Sequence, residues 1–303
     1  MYIPVEVTDS ISIHSDVVLS ANFMKFASNH RLIIRFYDSY GEYVGAFMPM
    51  QQRRSVKATL FQSTLYLDNA RRLALAKKII IAGTRSIKSN LQYYKRRRSS
   101  PDFDTKIGEI SAFTKQMNEA KSIEELMLIE ARMRECYYSC FDLIIRADGF
   151  MFEKRSRRPP RNEVNAMIIF GNTILYNHIA NRILLTELDI RISFLHASNR
   201  REQSLNLDIA ELFKPVIIDR LIFSLANKHI INCSEHFTHL DSGAVLFNPE
   251  GKRIFLQAFK EKLRQPLTVG GEKTTYDGLI RKEVYNLKEH ILNGAGYTPY
   301  RYE

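Results

Sequence analysis

Thr64-Leu65-Tyr66-Leu67-Asp68-Asn69-Ala70-Arg71-Arg72-Leu73-Ala74-Leu75-Ala76 is the stretch at which the apolar pattern of the chain changes. From about Thr64 onward the period is 3.6, with Leu73, Ala76, Ile80 and Ile87 recurring on one stripe, and that period predicts helix. Upstream, Ile11-Ser12-Ile13 alternates and Leu32-Ile33-Ile34-Arg35-Phe36-Tyr37 is β-branched and aromatic. Tyr43-Val44-Gly45-Ala46-Phe47 follows a Ser39-Tyr40-Gly41-Glu42 turn, so residues 1–50 read as strands. One short helix behind a Ser20 cap interrupts them. Downstream, helices are expected near 66–97, 105–118, 122–146, 161–184, 206–231, 251–264 and 273–292. The breaks fall at Ser99-Ser100-Pro101, Arg158-Pro159-Pro160, Lys214-Pro215 and Gly270-Gly271. Lys214-Pro215 lies inside the fifth helix and is expected to kink or split it. Strand alternation returns only around Val245-Leu246-Phe247. The fold class is therefore α+β: a small N-terminal β domain, residues 1–65, followed by a larger all-α domain, residues 66–303.

A chain of 303 residues has room for two such units. Its 44 Lys and Arg against 33 Asp and Glu give a net charge of +11, which favours a polyanionic partner, nucleic acid first. No stretch approaches the ~18 consecutive apolar residues of a spanning helix, and Met1-Tyr2-Ile3-Pro4-Val5-Glu6 lacks a signal layout. A cytoplasmic protein without a membrane partner is expected. Three cysteines, with Cys136 and Cys140 one helical turn apart, read as reduced core thiols and not as a disulfide framework.

Three distant segments carry the chemistry. Glu130 sits beside an inward stripe of Leu126, Ile129, Met133 and Tyr137. His196 ends Phe194-Leu195-His196. Asp208 and Glu211 are spaced i, i+3, with Cβ atoms roughly 5–6 Å apart on one helix face, a gap that one cation could bridge. Singly, each has an ordinary explanation: a solvated helical glutamate, acids compensating a helix N-terminus, a satisfied core histidine. Together they supply the carboxylates and imidazole that a divalent ion needs to cut or join DNA.

Basic runs at Lys95-Arg96-Arg97-Arg98, at Lys154, Arg155, Arg157 and Arg158, and at Arg200-Arg201 are candidate DNA-backbone contacts, which position a strand without reading its sequence. His229, Cys233, His236 and His239 have the residue types of a zinc site, against the plainer reading of an irregular surface connection. Thr268-Val269-Gly270-Gly271-Glu272-Lys273 is too short for a phosphate-binding Gly-x-x-x-x-Gly-Lys-Ser/Thr loop. The aromatic and basic end, Tyr297-Thr298-Pro299-Tyr300-Arg301-Tyr302, either docks on the helical domain or meets a partner.

Ile3-Pro4-Val5-Glu6, Phe36-Tyr37-Asp38-Ser39-Tyr40-Gly41, Gly45-Ala46-Phe47-Met48-Pro49 and Arg72-Leu73-Ala74-Leu75-Ala76-Lys77 resemble segments of the CRISPR adaptation integrase, the Cas one family. More specific are Ile129-Glu130 with Arg134 and Tyr137-Tyr138, the signature Arg158-Pro159-Pro160-Arg161-Asn162-Glu163-Val164-Asn165-Ala166, Phe194-Leu195-His196, and Asp208-Ile209-Ala210-Glu211-Leu212-Phe213-Lys214-Pro215. The resemblance implies that Glu130, His196 and Glu211 are metal ligands for Mg2+ or Mn2+ and that Asp208 is a nearby acid supporting catalysis. It implies insertion of new spacers by transesterification, in which the 3′-hydroxyl of a DNA fragment attacks a phosphodiester at a CRISPR repeat boundary. Its implied partners are double-stranded DNA (prespacer and repeat), a second copy of the chain through the β domain, and the Cas two protein. Two departures stand out: Ala131 replaces a frequent glycine, and the family's opening strand pair is absent before Ile3. The residues alone reach a basic, metal-dependent DNA enzyme; a general nuclease of a mobile element and a non-catalytic DNA-binding subunit are the alternatives.

Overall fold

The computed structural model describes residues 3–8, 10–38, 43–49, 55–98, 100–196 and 203–302. The expected Ser39–Glu42 turn and the Arg200-Arg201 pair lie outside these residues. β1 (Ser10–Ile13) runs parallel to β2 (Ile33–Tyr37), which pairs antiparallel with β3 (Tyr43–Phe47), giving the order β1-β2-β3. A parallel pair requires a crossover, and α1 (Ala21–Asn29) supplies it, capped as expected by the Ser20 hydroxyl, which accepts from Phe23 N at 3.2 Å. Ala27, Leu32 and Ile34 form the buried centre of this unit. Arg35, fully buried on β2, reaches out of it and donates to Asn177 O at 2.9 Å and to the Asn181 side chain.

The remaining helices are α2 (Val56–Leu67), α3 (Asn69–Lys95), α4 (Asp102–Glu119), α5 (Ile123–Tyr138), α6 (Phe141–Ile144), α7 (Glu163–Leu184), α8 (Leu205–Phe213), α9 (Arg220–Asn227), α10 (Cys233–His236), α11 (Pro249–Arg264) and α12 (Tyr276–Asn293). They share one large core around α3, α7 and α8. Helix begins earlier than the periodicity suggests, at Val56, so residue 65 falls inside α2, whose Leu65 belongs to the main core.

The fifth helix neither breaks nor splits at Pro215. Lys214–Asp219 forms a π-helical segment joining α8 to α9; the wider turn accommodates a residue with no N–H to donate, and the Pro215 carbonyl accepts from Asn90 Nδ2 at 2.6 Å. Strand also recurs more than expected. β4 (Phe237–His239) pairs with β5 (Val245–Phe247), and β6 (Pro266–Val269) pairs with β7 (Glu272–Thr275). The second hairpin turns on Gly270 and Gly271, with φ of 57° and 84°, the left-handed pair a tight two-residue turn demands. No helix among the described residues is long and apolar enough to cross a membrane.

Candidate active site

α5 starts at a Ser122 cap, whose hydroxyl accepts from Glu125 N at 3.1 Å, and buries Leu126, Ile129, Met133 and Tyr137. That stripe fixes the helix rotation and leaves Glu130 at the edge of the core, its side chain 15% exposed. α8 is buried along its whole length, including Glu211 and Asp208. It lies directly against α3: a Cβ on Gly83 would meet the Glu211 carbonyl oxygen at 2.6 Å, so only glycine permits this approach.

Glu130 and Glu211 meet through Arg134. The Arg134 Nε donates to Glu130 Oε1 at 3.0 Å, and its Nη2 donates to Glu211 Oε2. Lys214 Nζ donates to Glu211 Oε1 at 2.5 Å. Burial alone would raise Glu211, but the Arg134 and Lys214 charges outweigh it and hold the carboxyl well below the usual range. Lys214 responds in the opposite sense: burial lowers it, and the Glu211 carboxylate more than compensates, so it stays above its ordinary value.

His196 approaches from the segment before α8. Its Nε2 lies 4.0 Å from Glu211 Oε1, and its Nδ1 lies 2.8 Å from Asp208 Oδ1. A carboxylate only accepts, so Nδ1–H donates and Nε2 is the nitrogen turned toward Glu211. Asp208 also accepts from the backbone N–H groups of Phe194 (2.6 Å), Leu195 (3.0 Å) and His196 (3.1 Å). Asp208 and Glu211, one turn apart, thus have different protein partners. The loop is held from the far side as well. Gln62 Nε2 donates to Asp189 O (2.9 Å) and Ile192 O (2.7 Å), its Oε1 accepts from Asp189 N (2.9 Å), and Arg72 Nε donates to Phe194 O (2.9 Å).

The structure therefore links Glu130 to Glu211 through Arg134 and sets His196 beside Glu211, with Asp208 behind the imidazole. Among the described residues no three acidic, histidine or cysteine side chains are arranged as a ready metal cage; Arg134 and Lys214 sit on the carboxylates instead. Sequence reasoning did not give these two cations a role in the site, although Arg134 follows Glu130 by four residues and Lys214 follows Glu211 by three, the spacings at which helical side chains meet. Gln62 and Arg72 had no such signal, because they act across more than a hundred residues.

Of the basic candidates, Lys154, Arg157 and Arg158 are exposed. Arg155 turns inward, donating to Asn165 Oδ1 at 2.7 Å below the Tyr138 ring. In the first run Lys95 pairs with Asp104, Arg97 lies 3.7 Å from the Tyr93 ring centroid, and Arg98 donates to Leu143 O and Ile144 O. The zinc-like residues are separately engaged: His236 Nδ1 accepts from Asn232 N at 2.9 Å, His239 Nε2 lies 3.2 Å from Glu163, and burial pushes the Cys233 thiol up to about 12.

A family model described as CRISPR associated protein Cas1 matches residues 1–261. The CRISPR-associated endonuclease Cas1 2 of Thermodesulfovibrio yellowstonii is 39% identical over 302 residues, covering 99% of this chain and 90% of that protein. The CRISPR-associated endonuclease Cas1 of Thermotoga maritima is 37% identical over 295 residues, 96% of this chain and 88% of its own length. A solved structure of a Cas1 protein from Thermotoga maritima matches with a TM-score of 0.83 at 35% identity, covering 100% of this chain and 91% of that one. A casposase bound to integration product has the same fold, with a TM-score of 0.73 at 20% identity over 96% of this chain and 84% of its own. With a family match over most of its length and relatives more than a third identical along nearly all of it, the chain belongs to the Cas1 family of CRISPR-associated endonucleases.

Proposed function

We propose that this chain is a divalent-metal-dependent DNA integrase and endonuclease that inserts new spacers into a CRISPR array by transesterification, with Glu130, His196 and Glu211 holding the ion. The observation that supports the reading is that side chains from segments far apart in sequence converge on Glu211: Arg134 bridges it to Glu130, and His196 Nε2 lies 4.0 Å from its Oε1. Two carboxylates and one outward imidazole nitrogen fit Mg2+ or Mn2+ better than a closed zinc site. The carboxylates already gather Arg134 and Lys214, and a divalent ion answers the same negative charge. When bound, the ion supplies Lewis acidity to the phosphodiester and stabilises charge on the attacking and leaving oxygens.

The chain's own side chains do the rest. Arg134 and Lys214 keep Glu211 ionised, Asp208 fixes the His196 ring, and Gln62 and Arg72 anchor the backbone of its loop. A 3′-hydroxyl held over this cluster attacks the repeat-boundary phosphodiester and one such bond replaces another; with water in its place, the strand is hydrolysed. Lys154, Arg157 and Arg158 are the proposed phosphate contacts, and double-stranded DNA, as prespacer and repeat, is the substrate. The proposed assembly is a homodimer through the N-terminal unit, residues 1–65, joined by the small Cas two protein, in the cytoplasm.

The test is strand joining with a prespacer, a repeat-containing plasmid, the partner protein and Mg2+ or Mn2+. Wild type joins and Glu130→Ala does not. Joining by Glu130→Ala at the wild-type rate would overturn the metal-site assignment, and equal use of random duplex would reduce the activity to that of a general nuclease.

A further inference from the structure

A cavity of about 850 Å3 opens between the β6–β7 hairpin, α12 and the C-terminal segment. It is separate from the Glu130–His196–Glu211 cluster, and its residues have no part in the proposed reaction. Five cations line its wall: Lys273, Lys282 and Arg301 are exposed, whereas Arg220 and Lys262 are half-buried. Each of the half-buried two lies over an aromatic ring: the Arg220 guanidinium is 4.2 Å from the Tyr302 centroid, and Lys262 Nζ is 4.5 Å from that of Tyr276. Their hydrogen-bond acceptors are neutral, Asn90 Oδ1 for Arg220 Nε at 2.7 Å and Gln265 Oε1 for Lys262 at 2.9 Å. Neither has a carboxylate partner among the described residues, and Arg220 Nη2 makes no hydrogen bond of good geometry, its polar neighbour being the Tyr276 hydroxyl.

The acids in the same wall are engaged elsewhere. Glu283 accepts from the Tyr297 hydroxyl and from Tyr300 N at 3.0 Å, and Glu272 pairs with Lys282 at 2.9 Å. Burial, and after it the neighbouring Arg220 charge, pull the Lys262 ammonium down to about 8. Partial burial of a cation is costly, and two half-buried cations in one wall, one with a poorly satisfied donor, describe a site suited to an anion.

We propose that this cavity binds a phosphate monoester or pyrophosphate between Arg220 and Lys262, with exposed Lys273 at its mouth. A dianion matches two cations, and the guanidinium fork takes two phosphate oxygens in parallel. The volume suits a small phosphorylated ligand or the phosphorylated end of a strand.

The test is calorimetric titration of inorganic pyrophosphate into the full chain, in chloride buffer with a chelator so that no metal contributes. One saturable site per chain is expected, weakened about tenfold or more in Lys262→Gln and unchanged in Lys214→Gln, which alters the other cationic cluster. A second measurement needs no variant: pyrophosphate should slow acylation of Lys262 in the wild-type chain, read by mass spectrometry. Absence of saturable binding, wild-type affinity in Lys262→Gln, or an unprotected Lys262 overturns the proposal. Displacement of pyrophosphate by a 5′-phosphorylated trinucleotide, and not by its unphosphorylated twin, identifies a strand end as the source of the phosphate. Displacement by ADP alone identifies a free phosphate ester, and displacement by neither overturns the monoester assignment.

Discussion

Asp208 carries four donors on one buried carboxylate: three consecutive backbone N–H groups and the His196 ring. Asparagine has the same shape but one accepting oxygen, so Asp208→Asn turns an amide NH2 toward donors that need an acceptor. The expected cost is about 2–4 kcal/mol, since each unsatisfied buried donor is worth about 1–3 kcal/mol. Strand joining should fall at least about tenfold, the usual penalty for losing the group that orients a ligating imidazole. Urea unfolding and the joining assay measure the two effects separately. Stability and joining both equal to wild type would mean that the 194–196 backbone is held by something other than this carboxylate. The i, i+3 spacing of Asp208 and Glu211 was visible in the sequence, but their division of labour was not. The spacing says that two carboxylates share a helix face and says nothing of a loop that folds back to use one of them.

At the scale of elements, the His196 loop is positioned by α2, the helix that periodicity missed. The reason is physical. Its buried residues are Ala58, Gln62 and Leu65, while Val56, Leu60 and Leu67 face outward, so the inward face has a glutamine at its centre and the apolar side chains lie on the wrong side for pattern reading. The α5 stripe, by contrast, was legible residue by residue, because Leu126, Ile129, Met133 and Tyr137 are all buried. The β6–β7 hairpin escapes for a different reason: Gly270-Gly271 reads as a break between two helices, and it is also a strong signal of a two-residue strand turn. Gln62→Ala removes three hydrogen bonds to the Asp189–Ile192 backbone. It should cost about 2–4 kcal/mol, several buried groups losing partners at about 1 kcal/mol or more each. Hydrogen exchange should quicken across residues 189–196 while α3 and α5 stay protected. Uniformly faster exchange throughout the chain would mean that α2 stabilises the fold globally and does not position the loop.

At the scale of the whole molecule, two long-range ties that no local pattern reveals converge on α7. Arg35 joins the N-terminal sheet to α7, and on the same helix His178 and Arg182 reach Asp277 at the start of α12. His178 Nε2 lies 2.7 Å from Asp277 Oδ1, and Arg182 Nη2 contacts both carboxylate oxygens at 2.9 and 2.8 Å. Burial opposes ionisation of Asp277, but the His178 hydrogen bond and the Arg182 charge outweigh it and bring the carboxyl from 3.8 to about 2. A carboxyl depressed in the folded chain stabilises it fully above its unfolded value and loses that contribution as the pH falls through its folded value. With the side chain a third exposed, solvent screening discounts the contribution to about 1 kcal/mol. Asp277→Asn should therefore be less stable than wild type by that amount at pH 6, with the gap closing between about pH 4 and pH 2 as the wild-type carboxylate takes up its proton. Urea unfolding midpoints of both chains across that range measure the difference. A gap that stays constant down to pH 2 would mean that the α7–α12 tie is held by packing, with the ion pair contributing nothing.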